Sequence, residues 1–507
     1  MAPKPVEKIT QPPHRLLEAC ADFVRPWLKL PKSWRVYLDA DARELFMLCI
    51  AAALVGISTG LIAASFRLGI EWVVHLRFGL IDRLDGSPIL GFLVFIAITT
   101  ILTGLSALLV AKVSPDAEGS GIPRVEAIVN GHLQPGKSRI LPVKFFGGLM
   151  AIGSGLMLGR EGPLVQMGAS AAYTVNKYFR LRDDDLRVLM GAGAAAGLAT
   201  AFNAPIAGGV FVLEELLKRF DIRTTLATLV ASSSGFVSSI LLVDSRFEFF
   251  IGWAPKVSNT SIHWIVLIGI ICGFLGILYN NYVMWCLRFA DTLKPPAYIR
   301  GGVVGLLIGC VGWVAPEVVG GGDNLTQEAL LGNGGLGLAA AILLVRFVLG
   351  PISYAAGTPG GLFAPQLVIG SMIGLMVGII ANEIQPAHSP SLAAAALIGL
   401  AAFFSSTVRT PITGMILATE MTGNASVLPA MLVACAFAMY IATVAKSDPI
   451  YERLSRRFER NVDLYRLRSM WKTVAETSAR TIRPFRVRLS SSSSSVSRTM
   501  KNSDLDR

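Results

Sequence analysis

Long apolar runs, separated by short polar stretches, make up most of this chain. They lie near residues 44–70, 90–113, 143–158, 188–214, 223–243, 262–288, 298–316, 336–350, 361–382, 392–407, 410–420 and 427–447. A helix that crosses a bilayer needs about 20 consecutive apolar residues. Several runs reach that length and others fall short of it. The pattern therefore predicts an all-α polytopic membrane protein in which some helices are broken or tilted.

The composition agrees with a bilayer environment. Charged residues make up 16% of the 507 residues, the mean hydropathy is +0.57, and 50 residues are glycine. Soluble domains average about 25% charged residues, and glycine is common where membrane helices approach closely. These values exclude a large soluble enzyme. The six cysteines show no metal-binding spacing, so we expect no metal site and no cofactor.

Basic residues are concentrated at the two ends of the chain. Residues 1–43 and 446–507 together hold 23 of the 46 lysines and arginines. The positive-inside rule then predicts that both termini are cytoplasmic, with an even number of crossings, and we expect the plasma membrane. Anionic lipid headgroups explain the basic ends more simply than a nucleic acid does. We therefore divide the chain into a basic N-terminal segment (1–43), a transport domain (44–455) and a basic, serine-rich tail (456–507).

Glycine and proline interrupt the apolar runs at four places. The interruptions are residues 119–123 (Gly-Ser-Gly-Ile-Pro), 159–163 (Gly-Arg-Glu-Gly-Pro), 203–205 (Asn-Ala-Pro) and 357–361 (Gly-Thr-Pro-Gly-Gly). Irregular backbone at membrane depth leaves polar groups unpaired, so it must be packed within protein or line a watery path. Short, interrupted hydrophobic segments of this kind indicate a transport site.

The second half of the chain repeats features of the first in the same order. Three features of the first half, Gly159-x-x-x-Pro163, Gly197-Leu-Ala and Pro205-Ile-Ala-Gly followed by Glu214, have counterparts in Gly361-x-x-x-Pro365, Gly399-Leu-Ala and Pro411-Ile-Thr-Gly followed by Glu420. This order favours an internal duplication, with two inverted halves at about 44–245 and 260–455 and the substrate held between them. Coincidence in a sequence rich in glycine and alanine is the alternative.

A small anion offers only a sphere of charge, so its binding requires N–H and O–H donors. Helix N-termini supply such donors together with a partial positive charge. Proline in the first turn of a helix sacrifices no useful N–H, and glycine lets the backbone approach an ion. Three segments fit this description, and their candidate donors are the Ser120 hydroxyl, the backbone amides of 159–163, and the backbone amides of Leu362 and Phe363.

Glu161 is unusual because it places a carboxylate at one of these helix starts. An ionisable residue at membrane depth indicates a functional site. When deprotonated, Glu161 can occupy the position of the anion, and when protonated it can leave, which makes a gate that couples an anion to a proton. A permanent ion pair between Glu161 and Arg160 is the alternative, but adjacent residues on a helix do not face each other.

These motifs resemble those of the CLC family of chloride channels and chloride/proton exchangers. The resemblance covers about residues 44–455 and includes 119–123, 159–163, 360–365 (Gly-Gly-Leu-Phe-Ala-Pro) and Pro-Ile-Tyr451, together with blocks at 142–148 and 193–205 close to the bacterial branch. It implies a CLC fold of two inverted repeats and a homodimer with one pore in each subunit. The stretch after Tyr451 is too short for the paired nucleotide-sensing CBS domains of many eukaryotic members.

The resemblance also implies a role for each motif residue. The hydroxyls of Ser120 and Tyr451 and the backbone amides of Leu362 and Phe363 would bind a central chloride. Glu161 would be the gating glutamate, and Arg160 and Gly162 would shape an outer anion site. Ser120 favours chloride over nitrate, and Gly-Arg-Glu-Gly-Pro argues against the fluoride branch.

Glu215 bears on whether this chain is an exchanger or a channel. It follows Glu214 at the place where exchangers of the family usually carry an inner proton-transfer glutamate. The resemblance therefore implies a chloride/proton antiporter, with a helix-end carboxylate in solvent as the alternative for Glu215. A passive chloride channel of the same fold is the second candidate function. A membrane-embedded enzyme is a third, but no HExxH or GxSxG motif accompanies Glu161.

Overall fold

The structure, a computed structural model, describes residues 40–84, 86–136, 138–244, 247–251 and 255–459. The first half contains α1 (Ala40–Leu84), α2 (Pro88–Val113), α3 (Ile122–Val129), α4 (Ile140–Gly153), α5 (Glu161–Phe179), α6 (Asp183–Phe202), α7 (Pro205–Phe211) and α8 (Ile222–Ser239). The second half contains α9 (Ile262–Leu293), α10 (Ala297–Val314), α11 (Asp323–Leu331), α12 (Leu336–Tyr354), α13 (Phe363–Ile384), α14 (Leu392–Val408), α15 (Pro411–Thr422), α16 (Leu428–Val444) and α17 (450–459). Residues 1–39 and 460–507, which hold most of the basic ends and the serine run at 490–495, lie outside the described residues.

Six of the described helices, α1, α2, α9, α10, α12 and α13, are long and apolar enough to cross a membrane. In five of them only 33–44% of the most apolar stretch is buried, whereas in α13 the share is 83%. Helix α13 is therefore enclosed by protein, while the other five expose apolar surface of the kind that faces lipid. The expectation of an all-α, multi-pass membrane protein is confirmed.

The helices follow the apolar runs closely, with two kinds of difference. The run at 188–214 is two helices, because α6 ends at Phe202, Asn203 adopts a left-handed conformation with φ 52°, and α7 begins at Pro205. The apolar run at 143–158 extends beyond its helix, since α4 ends at Gly153 and the chain turns at Gly155 with φ 111°. The apolar pattern did not predict the short helices α3 and α11.

Matched glycine contacts reveal the two repeats. A Cβ atom on Gly168 of α5 would lie 2.0 Å from the carbonyl oxygen of Gly193 of α6, so these helices touch through their backbones. In the second half, a Cβ on Gly370 of α13 would lie 2.6 Å from the carbonyl oxygen of Gly399 of α14. The same helix pair is thus built twice with the same close packing, which contradicts the reading of the repeat as coincidence.

Two glutamates connect the halves, because each one caps a helix of the other half. The carboxylate of Glu214 accepts hydrogen bonds from the backbone N–H groups of Ile412 (3.2 Å) and Thr413 (2.8 Å) at the start of α15. The carboxylate of Glu420 accepts bonds from Ile206 (3.1 Å) and Ala207 (2.6 Å) at the start of α7. Helix starts have N–H groups without partners in the helix, and anions there are favourable. Each half therefore supplies the other's cap.

We expect Glu214→Gln and Glu420→Gln each to lower the free energy of unfolding by about 1.5–3 kcal/mol, since each change weakens a charged hydrogen-bond acceptor for two backbone donors. Thermal melting of the purified protein in detergent measures this loss. Glu383→Gln, which changes an exposed carboxylate near the end of α13, is the matched control. Melting temperatures that stay equal for all three variants would contradict the capping role.

Candidate anion site

Three irregular segments meet at the centre of the protein and pair through their backbones. The N–H of Gly119 donates to the carbonyl of Thr358 (3.0 Å), and the N–H of Gly360 donates back to the carbonyl of Gly119 (3.1 Å). Gly159 and Gly361 exchange two N–H···O bonds of 2.8 Å each. These bonds satisfy backbone groups that are not paired within a helix. The pairing brings the starts of α3, α5 and α13 to one point.

Ser120 and Gly162 touch at this point. A Cβ atom on Gly162 would lie 2.3 Å from Ser120 Oγ and 2.8 Å from the Ser120 carbonyl oxygen, so only glycine fits. The backbone N–H of Ser120 donates to the Tyr354 hydroxyl at 3.4 Å, and Ser120 Oγ lies 3.5 Å from the N–H of Ile122. Tyr354 lies in none of the motifs, so the sequence did not predict its contact with Ser120.

Glu161 is the first residue of α5, and its side chain lies beside the start of α13. It is 1% exposed, and its Oε2 accepts a hydrogen bond of 3.4 Å from the backbone N–H of Ala364. The carboxylate therefore occupies a position where helix starts offer partial positive charge to an anion. Arg160 forms its ion pairs with Glu248 and, at 3.6 Å, with Asp323. The proposed alternative, a permanent Arg160–Glu161 pair, is wrong.

The cations nearest the site are engaged by acceptors. The buried ammonium of Lys144 donates to the carbonyl oxygens of Ala117 (3.1 Å) and Gly119 (2.6 Å). These bonds hold the two carbonyls toward Lys144. Arg160 is bound to Glu248, a residue that the sequence analysis missed. Lys144 and Arg160 therefore bring full positive charges near the helix starts, but both are already paired with acceptors.

A cavity of about 450 Å³ opens beside Glu161. We call it the Glu161 vestibule, and its polar lining includes Glu71, His75, Arg77, Arg160, Glu248 and Asp323. Glu248 joins two walls of this cavity, because its other oxygen lies 3.1 Å from Arg67 of α1. Glu161 is itself part of the lining, so the vestibule reaches the buried carboxylate.

Aromatic rings enclose the other side of the site. Phe363, the first residue of α13, packs against Phe202, Phe211 and Phe404 with ring centroids 4.4–5.8 Å apart. Tyr451 of α17 packs edge-on against Phe211 at 6.3 Å. Tyr451 is fully buried, and its hydroxyl has no hydrogen-bond partner among the described residues. A buried hydroxyl without a partner requires an explanation such as a bound ion.

Glu215 is a second buried carboxyl group near Tyr451, and it is not part of the vestibule lining. It belongs to a single π-helical turn, Val212–Leu216, that continues α7, and it is 4% exposed. Tyr451 interacts electrostatically with both Glu161 and Glu215. The alternative of a solvated helix-end carboxylate is wrong for Glu215, because burial removes it from solvent. That description fits Glu214 better, although its oxygens cap α15.

A membrane domain with two inverted halves, in which helix starts converge on a buried carboxylate, defines a transport protein for a small anion. The model of the voltage gated chloride channel family matches residues 102–443. The chain therefore belongs to this family, the CLC chloride channels and transporters. The resemblance found in the motifs is confirmed.

Solved structures agree with this assignment. The X-ray structure of a slow cyanobacterial Cl⁻/H⁺ antiporter is 30% identical with a TM-score of 0.78, over 82% of this chain and 98% of that chain. A eukaryotic CLC transporter has 23% identity and a TM-score of 0.69, over 81% of this chain and 74% of that one. A CLC-type fluoride/proton antiporter has 22% identity and a TM-score of 0.69, over 80% and 97%. The last two show the shared fold.

We expect Gly162→Ala to weaken chloride binding at least about tenfold, equivalent to about 1.4 kcal/mol, because the new methyl group would displace Ser120. Calorimetric titration of the purified protein with chloride measures the change. Gly79→Ala is the matched control, since nothing lies within 4 Å of a Cβ at that position of α1. Unchanged affinity with an unchanged melting temperature would show that the Ser120–Gly162 contact is not part of the anion site.

Proposed function

We propose that this protein is a secondary active chloride/proton antiporter. The observation that carries the proposal is a buried tyrosine with an unpartnered hydroxyl, Tyr451, that lies within electrostatic reach of two buried carboxylates, Glu161 and Glu215. A chloride held at Tyr451 would be within electrostatic reach of both groups, so its movement and their protonation cannot be independent. The likeness to a structure titled as a slow Cl⁻/H⁺ antiporter supports the same conclusion.

The central chloride is bound by neutral donors. These are the hydroxyls of Ser120 and Tyr451 and the backbone N–H groups of Leu362 and Phe363 at the start of α13. Such donors stabilise an anion without the full charge that would prevent its release. Arg160 and Gly162 shape the outer site, where Glu161 now lies.

Glu161 acts as the gate because its carboxylate takes the anion's place. In the structure its Oε2 accepts the Ala364 N–H, a donor that a chloride would otherwise use. A proton arriving from the vestibule neutralises Glu161, the hydrogen bond loses its ionic acceptor, and chloride replaces the side chain. Glu215 receives or delivers the proton on the opposite side. One proton uptake therefore accompanies each opening of the path.

The proposed orientation follows from charge. Both basic termini lie in the cytoplasm next to anionic headgroups, which places Glu215 on the cytoplasmic side and the Glu161 vestibule on the outer side. We propose a homodimer in the plasma membrane with one pore in each subunit and with bound chloride as its one ligand. Neither nucleic acid nor a metal takes part.

Simultaneous measurement of chloride and proton flux from reconstituted vesicles tests the proposed function. A proton gradient should drive chloride uphill in the native protein. We expect Glu161→Gln to abolish proton movement while chloride flux persists, because the amide removes the titrating group and keeps its size. Chloride current in the native protein without any proton movement would instead establish a passive channel.

We expect Glu215→Val to stop proton movement and to leave chloride movement, because it removes the inner proton station without touching the helix starts that bind the anion. The same flux assay measures both ions. Glu383→Gln changes an exposed carboxylate and should behave like the native protein. Proton flux that persists in Glu215→Val would show that protons enter by another route.

We expect Tyr451→Phe to lower chloride affinity about tenfold or more, because hydrogen bonds to charged groups contribute about 1.5–3 kcal/mol. The variant keeps the ring that packs on Phe211 and removes only the hydroxyl. Calorimetric titration with chloride or bromide measures the affinity. Native affinity in this variant would remove Tyr451 from the set of chloride ligands.

A further inference from the structure

Glu215 does not stand alone in its buried position. Glu126 of α3 lies near enough for its charge to act on Glu215, and so does Lys218, three residues beyond Glu215. Lys218 Nζ lies 3.1 Å from Glu126 Oε1. The side chain of Glu126 is 5% exposed, whereas that of Lys218 is 48% exposed. The lysine thus reaches from the surface over two buried carboxyl groups.

Two oxygen atoms in this group have no hydrogen-bond partner among the described residues. They are Glu215 Oε1 and Glu126 Oε2, and both are buried. A buried carboxylate oxygen without a donor is costly unless a proton or another donor satisfies it. Two carboxylates with one lysine also carry one negative charge in excess when all three are ionised. One added proton removes this excess and gives one of the two oxygens a hydrogen.

The other charged groups around this cluster already have partners. Glu214 caps α15, as described above, and on α17 Glu452 pairs with Arg456 (2.5 Å) and Glu459 with His132 (2.7 Å). On α6, Asp185 pairs with Arg223 of α8 (2.7 Å). Arg124 of α3 pairs with Asp116 (2.8 Å), and Arg187 of α6 is exposed. Lys218 is therefore the cation that acts directly on the two carboxyl groups.

We propose that Glu126, Glu215 and Lys218 form a single proton-holding site at the Glu215 end of the route, in which Lys218 keeps Glu126 ionised and thereby assigns the exchangeable proton to Glu215. This inference rests on the proposed antiport. Lys218 and Glu126 are positioning residues in it, because they act on the proton through Glu215.

The two partners have opposite effects on the proton. Without Lys218, no cation lies beside the two carboxyl groups. Repulsion between their like charges then keeps the proton bound up to a higher pH. Without the Glu126 carboxylate, Lys218 acts on Glu215 alone, and the opposite charge favours its ionised form. Proton uptake by Glu215 then requires a lower pH.

Proton flux driven by a chloride gradient, at equal pH on both sides of reconstituted vesicles, tests the proposal across a pH series. We expect Lys218→Met to move the half-maximal point to higher pH by about one unit or more, and Glu126→Gln to move it to lower pH by a similar amount. The double variant should return close to the native profile. Lys218→Arg keeps the cation and should rescue the native profile.

Arg219→Gln is the matched control, because it removes a neighbouring cation that pairs with Asp221 instead. Chloride titration verifies that each variant still binds the anion. Equal losses of flux at every pH, or shifts of the same sign in both single variants, would overturn the proposal and leave Lys218 a structural role. If the native protein moves chloride without protons, the antiport itself fails, and if Glu215→Val still moves protons, the route through Glu215 fails. If Glu215→Val stops protons and Lys218→Met leaves the profile unchanged, only this inference fails.

Discussion

The structure depends on how irregular backbone is satisfied at membrane depth. Helices pair their own polar groups, but the turns at residues 119, 159 and 360 cannot, and hydrocarbon offers no partner. The protein solves this by pairing the turns with one another, Gly119 with Thr358 and Gly360, and Gly159 with Gly361. Because those bonds are made at helix starts, the same solution brings three sets of free N–H groups to one place. The anion site is a consequence of that pairing.

The choice of partial over full charge follows from the need to release the ion. Lys144 and Arg160 both lie near the helix starts, yet each is bound to acceptors of its own. Lys144 also draws the carbonyls of Ala117 and Gly119 toward itself, and carbonyl oxygens facing the path would repel an anion. The cations thus orient dipoles and balance neighbouring acids. In the proposed mechanism N–H and O–H donors contact the ion, and the Glu161 carboxylate competes with it for those donors.

The sequence predicted what local chemistry determines. Gly and Pro at a helix start act within a few residues, so the segments around Ser120, Glu161 and Phe363 were found where they lie. Contacts between distant segments left no such pattern. Arg160 and Glu248 are 88 residues apart, and Lys218 and Glu126 are 92 apart. Both ion pairs form only because the fold brings together residues that are far apart in the sequence, which is why neither was predicted.

The two adjacent carboxylates in the π-helical turn after α7 show a second limit of prediction from sequence. Glu214 and Glu215 are identical in type and neighbouring in sequence, but successive residues of a helix point in different directions. Glu214 turns to the start of α15 and joins the two halves, whereas Glu215 turns inward toward α3. A π-helical turn at this point, Val212–Leu216, sets their directions. The pattern of two adjacent glutamates does not by itself separate these two roles; the resemblance to the family is what assigned the proton role to Glu215.

Helix α3 connects the two proposed sites. It begins at Ile122, two residues after Ser120, and carries Glu126 one turn further on, a rise of about 6 Å along the axis. All eight of its residues are buried, so the short helix has little freedom to move one end without the other. In the proposed antiporter, a movement of Ser120 when chloride binds would therefore also move Glu126, and with it the balance between Lys218 and Glu215. Coupling between anion and proton would then need no large rearrangement, because one short helix connects both proposed sites.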